Sequence, residues 1–343
     1  MLSTSEIKRQ MKDGNIVIEN MMSDALRKPN SCSINMGNVL YVFDYDVVDA
    51  KEKNCYLNEL ISDNIHRLKR VVIPESGYLL EPHKVYLTKS VERIKTNGYT
   101  PAFYGRTAFS LLGLSTELNN GTKCDNYDGH IILSLIATKP TIIYPDMEIG
   151  NLTFFKSEEK APYKTGMLSG EEIKKRMESK EVIIEQPDLI VINPNSVNLT
   201  LNHIIGYYPD PILDVKANNS IETMDLEFGD CFLYPDQVYL ARTNEWTETE
   251  NCIPMMSGRS SLGRNGLHVH CSAGMGAIGY KGYWHMGIRP KIPINVVNNM
   301  KCCQIYYYTI EGEVTHKYNG SMQNLSGDEL GSQLHRILKR NCK

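Results

Sequence analysis

Short runs in which Val, Ile, Tyr and Leu alternate with polar residues fill most of the chain, and Gly, Pro or Asn interrupts them repeatedly. The interruptions come at roughly the 8–12-residue spacing of an all-β sandwich or barrel. Three stretches depart from that pattern. Met1–Met11 and Met167–Met177 have helical spacing, each with a Ser at the cap position and a Glu three residues later, as in a capping box. Residues 328–340 (DELGSQLHRILKR) place apolar side chains at 330, 334, 337 and 338 and basic ones near the end, which predicts a C-terminal helix.

The pattern repeats. MLSTSEIKRQM at Met1 returns as MLSGEEIKKRM at Met167, and each is followed by a β-branched strand ending in Glu19 or Glu185. Pro29-Asn30-Ser31 returns as Pro194-Asn195-Ser196. Farther on, Leu80-Glu-Pro82 through Leu87 returns as Leu233-Tyr-Pro235 through Leu240, and Gly105-Arg106 as Gly258-Arg259. Periodic self-similarity on this scale implies two copies of one unit. The expected division is 1–160, a linker at 161–166, and 167–343.

Composition narrows the class. A net charge of −3 with 22% charged residues leaves no polybasic surface, so nucleic acid is not an expected partner. Nine cysteines are scattered without a CxxC pair, which fits reduced thiols and a cytoplasmic protein better than a disulfide framework. Adjacent Cys302 and Cys303 lie on a predicted strand, where buried thiols act as small hydrophobes. No run reaches the roughly 20 apolar residues of a membrane helix. The N-terminus lacks a signal-peptide apolar core, and no membrane partner is expected.

The densest chemistry lies in Gly258–Gly287. Gly258-Arg259-Ser260-Ser261-Leu262-Gly263-Arg264, then Ala273-Gly274, then Gly279-Tyr280-Lys281-Gly282 resemble the dCTP deaminase/dUTPase superfamily, and the likeness extends over both repeats. The helical head resembles the deaminase branch. This resemblance implies two tandem dUTPase-like distorted β-barrels of β-clip or jelly-roll type, each with a short N-terminal helix. It also implies homo-oligomers with nucleotide sites between barrels. A turn of backbone N–H groups, hydroxyls and a guanidinium suits phosphate. On that basis Arg259, Ser260, Ser261 and Arg264 are the expected phosphate ligands, with Arg106 and Thr107 as the diluted counterpart in the first copy. Ala273, Gly274, Tyr280, Tyr127 and Asn324 are the expected sugar and base contacts. Gly274–Gly279 also satisfies GxGxxG, but a strand-like stretch rather than a helix follows, so a dinucleotide fold is not implied.

The resemblance also shows what is missing. Deaminases of this superfamily need no zinc and use a glutamate in the strand after Gly-Tyr-x-Gly to activate water. That position is Gly287 in one copy and Ser134 in the other. The aspartate a dUTPase would need is replaced by Ala277 and Cys124. His285 shares a strand face with Gly287 and is the one substitute acid or base. His268 and His270 alternate on another strand without further metal ligands, so no metal site is expected. The family's Lys-Tyr-x-Asn-Gln lid, aligned on Gly320–Gly327, keeps Asn324 but has Ser321 and Leu325 at the charged and amide places. These losses favour a phosphorylated-nucleotide-binding protein that senses or sequesters its ligand without turnover. A dCTP deaminase or dUTPase-like hydrolase with rearranged catalytic groups is the alternative, and a purely structural protein is the third. No cofactor is required beyond Mg2+ accompanying a nucleoside triphosphate.

Overall fold

A computed structural model describes residues 1–43, 68–82, 84–116, 127–156, 166–185, 190–228, 231–265, 267–269, 273–325 and 330. Among these residues the helices are α1 (Thr4–Lys12), α2 (Thr107–Leu111), α3 (Gly170–Glu178) and α4 (Ser260–Arg264). Among the described residues everything else of regular structure is β apart from one 3₁₀ turn. The expected C-terminal helix and the 161–165 part of the linker lie outside the described residues. No helix among those described is long and apolar enough to cross a membrane.

The heads fold as their capping pattern dictates. Ser3 accepts from the Glu6 N–H and Ser169 from the Glu172 N–H, both at 3.2 Å. Each cap satisfies an amide that the first helical turn would otherwise leave without a partner.

Both halves are built on the same long antiparallel hairpin. In the first, strand Tyr86–Thr96 pairs with Asp128–Ala137, Tyr86 lying opposite Leu135. In the second, Tyr239–Thr249 pairs with Lys281–Pro290, Tyr239 lying opposite Ile288. The ladder is interrupted at equivalent places, between Lys89 and Arg93 and between Arg242 and Trp246. Beside each irregularity sits a fully buried carboxylate. Glu92 accepts from the Asn35 N–H, and Glu245 from the Thr200 N–H and hydroxyl. Burial pushes the Glu92 carboxyl up to about 7. Each half closes its core with a second sheet: Cys32–Asn35, Glu148–Lys156 and Tyr99–Gly105 in the first. In the second it comprises Val191–Ile192, Val197–Thr200, Lys301–Thr309 and Cys252–Gly258. Cys302 and Cys303 are both buried in this sheet, with sulfurs 3.7 Å apart.

The halves are not independent. Leu213–Asp214, from the second half, adds a parallel strand to Thr141–Ile143 of the first, which also pairs with Tyr78–Leu80. Tyr208, Leu213 and Val215 join the first half's apolar core. Lys139 Nζ donates to the Tyr208 carbonyl at 2.5 Å, the Tyr144 hydroxyl donates to Asp214 at 2.9 Å, and Lys216 sits 3.5 Å from the Tyr144 ring centroid. Arg289 donates to Thr138 at 3.2 Å and also to Ser115.

Leu213 is fully buried in the other half's core, so Leu213→Ala should lower unfolding stability by about 2–5 kcal/mol. Both tryptophans, Trp246 and Trp284, lie in the second half. Urea unfolding followed by tryptophan fluorescence and by far-ultraviolet circular dichroism should therefore shift together. A displaced dichroism curve with unchanged fluorescence would show that the halves unfold separately.

Candidate functional site

The decisive contact at the seam is made by a residue with no side chain. Strand Lys281–Pro290 carries Gly287, and a Cβ built there would lie 2.3 Å from the Ser110 carbonyl oxygen and 3.0 Å from its carbon. Both atoms are backbone of α2, which cannot rotate away as a side chain could. Bulk at position 287 is therefore excluded while the halves are docked, and the place expected for a catalytic glutamate is filled by the other half's helix.

Beside this contact opens a cleft of about 910 Å³ lined by both halves. The first half contributes Arg27, Lys28, Asn30, Arg106 and Thr107, and the second contributes Met275, Ala277, Tyr280, Trp284 and His285. The chain after the last strand, His316 to Met322, forms a further wall. The volume is within the range of small-molecule sites.

The aromatic side is rigid. Tyr280 is buried, its hydroxyl donates to the Tyr283 carbonyl at 2.6 Å, and its ring centroid lies 5.4 Å from Trp284 and 6.0 Å from Tyr318. His285 is buried, with Nδ1 3.1 Å from the Tyr283 carbonyl. Gln323 ties the terminal wall down by accepting from the Lys281 N–H at 3.0 Å and donating to the Gly279 carbonyl at 2.9 Å. Gly279 has φ +81, and a Cβ there would lie 2.5 Å from the Lys317 Cβ, so the wall can approach only a glycine.

The opposite side is cationic. Glu148, nearly buried, accepts from Arg27 and from Ser33 at 2.9 Å. It also lies 3.6 Å from Lys28 Nζ and 3.4 Å from Arg106 Nη1. Burial alone would raise its carboxyl; Arg106, Lys28 and Arg27 together hold it down at about 2. Lys28 also donates to Asn151, and His316 Nε2 donates to the Arg27 carbonyl at 3.0 Å. Lys317 is paired with Glu250. The Asn30 amide oxygen is buried without a hydrogen-bond partner among the described residues. Among the described residues lining the cleft the one carboxylate is Asp24, whose side chain is 58% exposed and paired with Arg27 at 2.6 Å. The buried Glu92 and Glu245 do not line it.

A profile of the dCTP deaminase-like family matches residues 1–157 and again 167–310. The chain belongs to the dCTP deaminase-like family. A dUMP-forming dCTP deaminase of Leptospira biflexa is 41% identical over 161 residues, covering 47% of this chain and 92% of that protein. Its counterpart in Clostridium beijerinckii is 44% identical over the same length and shares. The crystal structure of 2'-deoxycytidine 5'-triphosphate deaminase from Agrobacterium tumefaciens superposes with a TM-score of 0.71 at 15% identity, covering 90% of this chain and 98% of that one. That likeness shows the fold.

Of the residues the sequence singles out, the structure brings Arg106, Thr107, Tyr280 and His285 to one cleft. Arg259 and Ser261, just before and on α4, do not line it, and the side chains of Ser260 and Arg264 fall outside what the structure describes. Arg259 is partly exposed and donates to the Lys301 carbonyl at 3.4 Å. Ala273 and Gly274 precede the lining stretch, and Asn324 is exposed outside it with φ 54. Tyr127 occupies the first half's equivalent of Tyr280, its hydroxyl donating to the His130 carbonyl at 2.5 Å, away from the cleft. Ser134 is half-buried, and Cys124 and His270 lie outside the described residues. Among the described residues His203, Asp225 and Glu227 have ligand atoms close enough to hold a metal, but none lines the cleft.

Arg27, Lys28 and Lys317 were not predicted. Lys317-Tyr318 is itself a Lys-Tyr pair, so aligning the lid from Gly320 passes over the signal. Arg27 and Lys28 belong to no motif.

Gly287→Ala should lower stability by about 1–3 kcal/mol, because the methyl must push backbone apart. Gly263→Ala, where nothing lies within 4 Å, serves as the control and should leave the melting temperature unchanged or slightly higher. Equal melting of the two variants would show that the seam is looser than described.

Proposed function

We propose that the cleft binds a phosphorylated nucleotide and does not turn it over. The occupied space at Gly287 carries this reading: a general acid or base contributes typically 10²–10⁴-fold in rate, and its family position here is closed by Ser110. The remaining features suit binding. Aromatic surface from Tyr280, Trp284 and Tyr318 faces a nucleoside, and Arg106 with its cationic neighbours faces phosphate. A triphosphate would bring its own Mg2+. The division at 161–166 and assembly into homo-oligomers belong to the same reading, the latter giving the Arg259–Ser261 turn another barrel to face.

The active-enzyme reading has its own support. Relatives of 41–44% identity are dUMP-forming dCTP deaminases, and His285 in the cleft wall is a residue able to move a proton near neutral pH.

Thermal-shift screening across deoxynucleotides, ribonucleotides and cyclic nucleotides, followed by chromatography of the incubated hits, separates the two. The expected result is a shift without product, lost in Arg106→Ala. Deoxyuridine product from dCTP would overturn the non-turnover reading. Absence of any shift would overturn nucleotide binding.

A further inference from the structure

The first half's phosphate turn has lost a hydroxyl, with Ala108 where the second half has Ser261, and it has gained cations from outside the turn. Arg27 and Lys28 have no counterparts in the second half, where the repeat places Ile192 and Asn193, and the equivalent of Glu148 is Lys301. Three cations, Arg27, Lys28 and Arg106, surround one buried carboxylate. Among the described residues lining the cleft the one other anion is Asp24, whose exposure lets water screen it.

The groups facing Lys28 come from every neighbouring element. Arg27 and Asp24 are on its own loop, Arg106 precedes α2, Glu148 is on strand Glu148–Lys156, and Cys32 is on strand Cys32–Asn35. His316 and Lys317 stand in the terminal wall, Lys317 neutralised by Glu250. Counted over the described residues, the sum leaves between one and two positive charges beside the cleft that Glu148 and the exposed Asp24 do not balance.

We propose that Arg27 and Lys28 take over from the missing hydroxyl and make the cleft select a ligand with a free terminal phosphate over a phosphodiester such as a cyclic nucleotide. The selection rests on the binding function proposed above and adds its substrate class. A terminal phosphate carries close to two negative charges at neutral pH and matches the excess, whereas a phosphodiester carries one.

Lys28 makes the selection measurable. Burial lowers its ammonium, Arg106 and Arg27 lower it further against the pull of Glu148, and it titrates at about 8. The protonated form attracts the anion, so affinity is fully present below pH 8 and is lost as pH rises through it. A bound dianion restores the missing counter-charge, and binding at or above pH 8 therefore takes up a proton.

The test is isothermal titration calorimetry with sodium tripolyphosphate, dCTP and cyclic AMP at fixed ionic strength, at pH 7.5 and 9.0, in two buffers of different ionisation heat. Tripolyphosphate and dCTP should bind with affinity falling about eightfold between these pH values, with proton uptake. Lys28→Arg, permanently charged, should bind tightly with a flat pH profile. Lys28→Met should bind weakly and equally flatly. A Lys28→Met variant that keeps the wild-type affinity and pH slope, or a wild type that binds cyclic AMP as tightly as dCTP, overturns the selection while leaving nucleotide binding intact. Tripolyphosphate binding with the predicted slope but no nucleotide binding supports the cationic reader and overturns the nucleotide function.

Discussion

The approach of the Ser110 carbonyl to Gly287 governs the rest of the molecule. It sets how deeply α2 of the first half seats on the central hairpin of the second, and it brings Arg106 to face Tyr280. With side chains excluded at one point of the seam, strand Leu213–Asp214 can cross to complete a sheet in the other half and Arg289 can reach Thr138 and Ser115. The same contact fills the space beside Gly287, the position at which the family resemblance leads one to expect a glutamate. At position 287 close docking excludes any side chain.

The two halves have consequently diverged in how they would treat an anion. The second half keeps both serines in its Gly-Arg-Ser-Ser turn, where Arg259 is partly exposed and Ser261 exposed. The first half has fewer hydroxyls, yet its turn lies in the shared cleft among three cations around Glu148. Removing one cation from such a cluster alters the balance for all the others. A buried ionic group of this kind is weak evidence for stability, since desolvation offsets much of the attraction. Under the binding function proposed above, its value would be electrostatic preorganisation toward a ligand.

Much of the fold was legible from local chemistry. The caps at Ser3 and Ser169, the strand alternation and the repeated hairpin follow from residues adjacent in sequence, and the structure repeats them in equivalent register. The family followed from clustered motifs. The cleft was only half legible because it depends on how two repeats dock, which periodicity does not encode. The sequence ranks Arg259 above Arg106 on motif quality, while the docking puts Arg106 in the cleft. Arg27 and Lys28 look like ordinary loop charges until Glu148, more than a hundred residues away, gathers them. Gly287 reads as a lost catalytic residue, and only Ser110 explains why glycine in particular stands there.

The crossing strand at Leu213–Asp214 has a consequence for how the cleft behaves in a cell. A site assembled from separate subunits empties as the protein is diluted, since its walls must first find each other. Here both walls belong to one polypeptide and are stitched by a shared sheet, so the local concentration of one wall about the other is set by covalent connection. The seam can therefore stay formed when the chain is scarce, and ligand occupancy would follow ligand supply rather than the abundance of the protein.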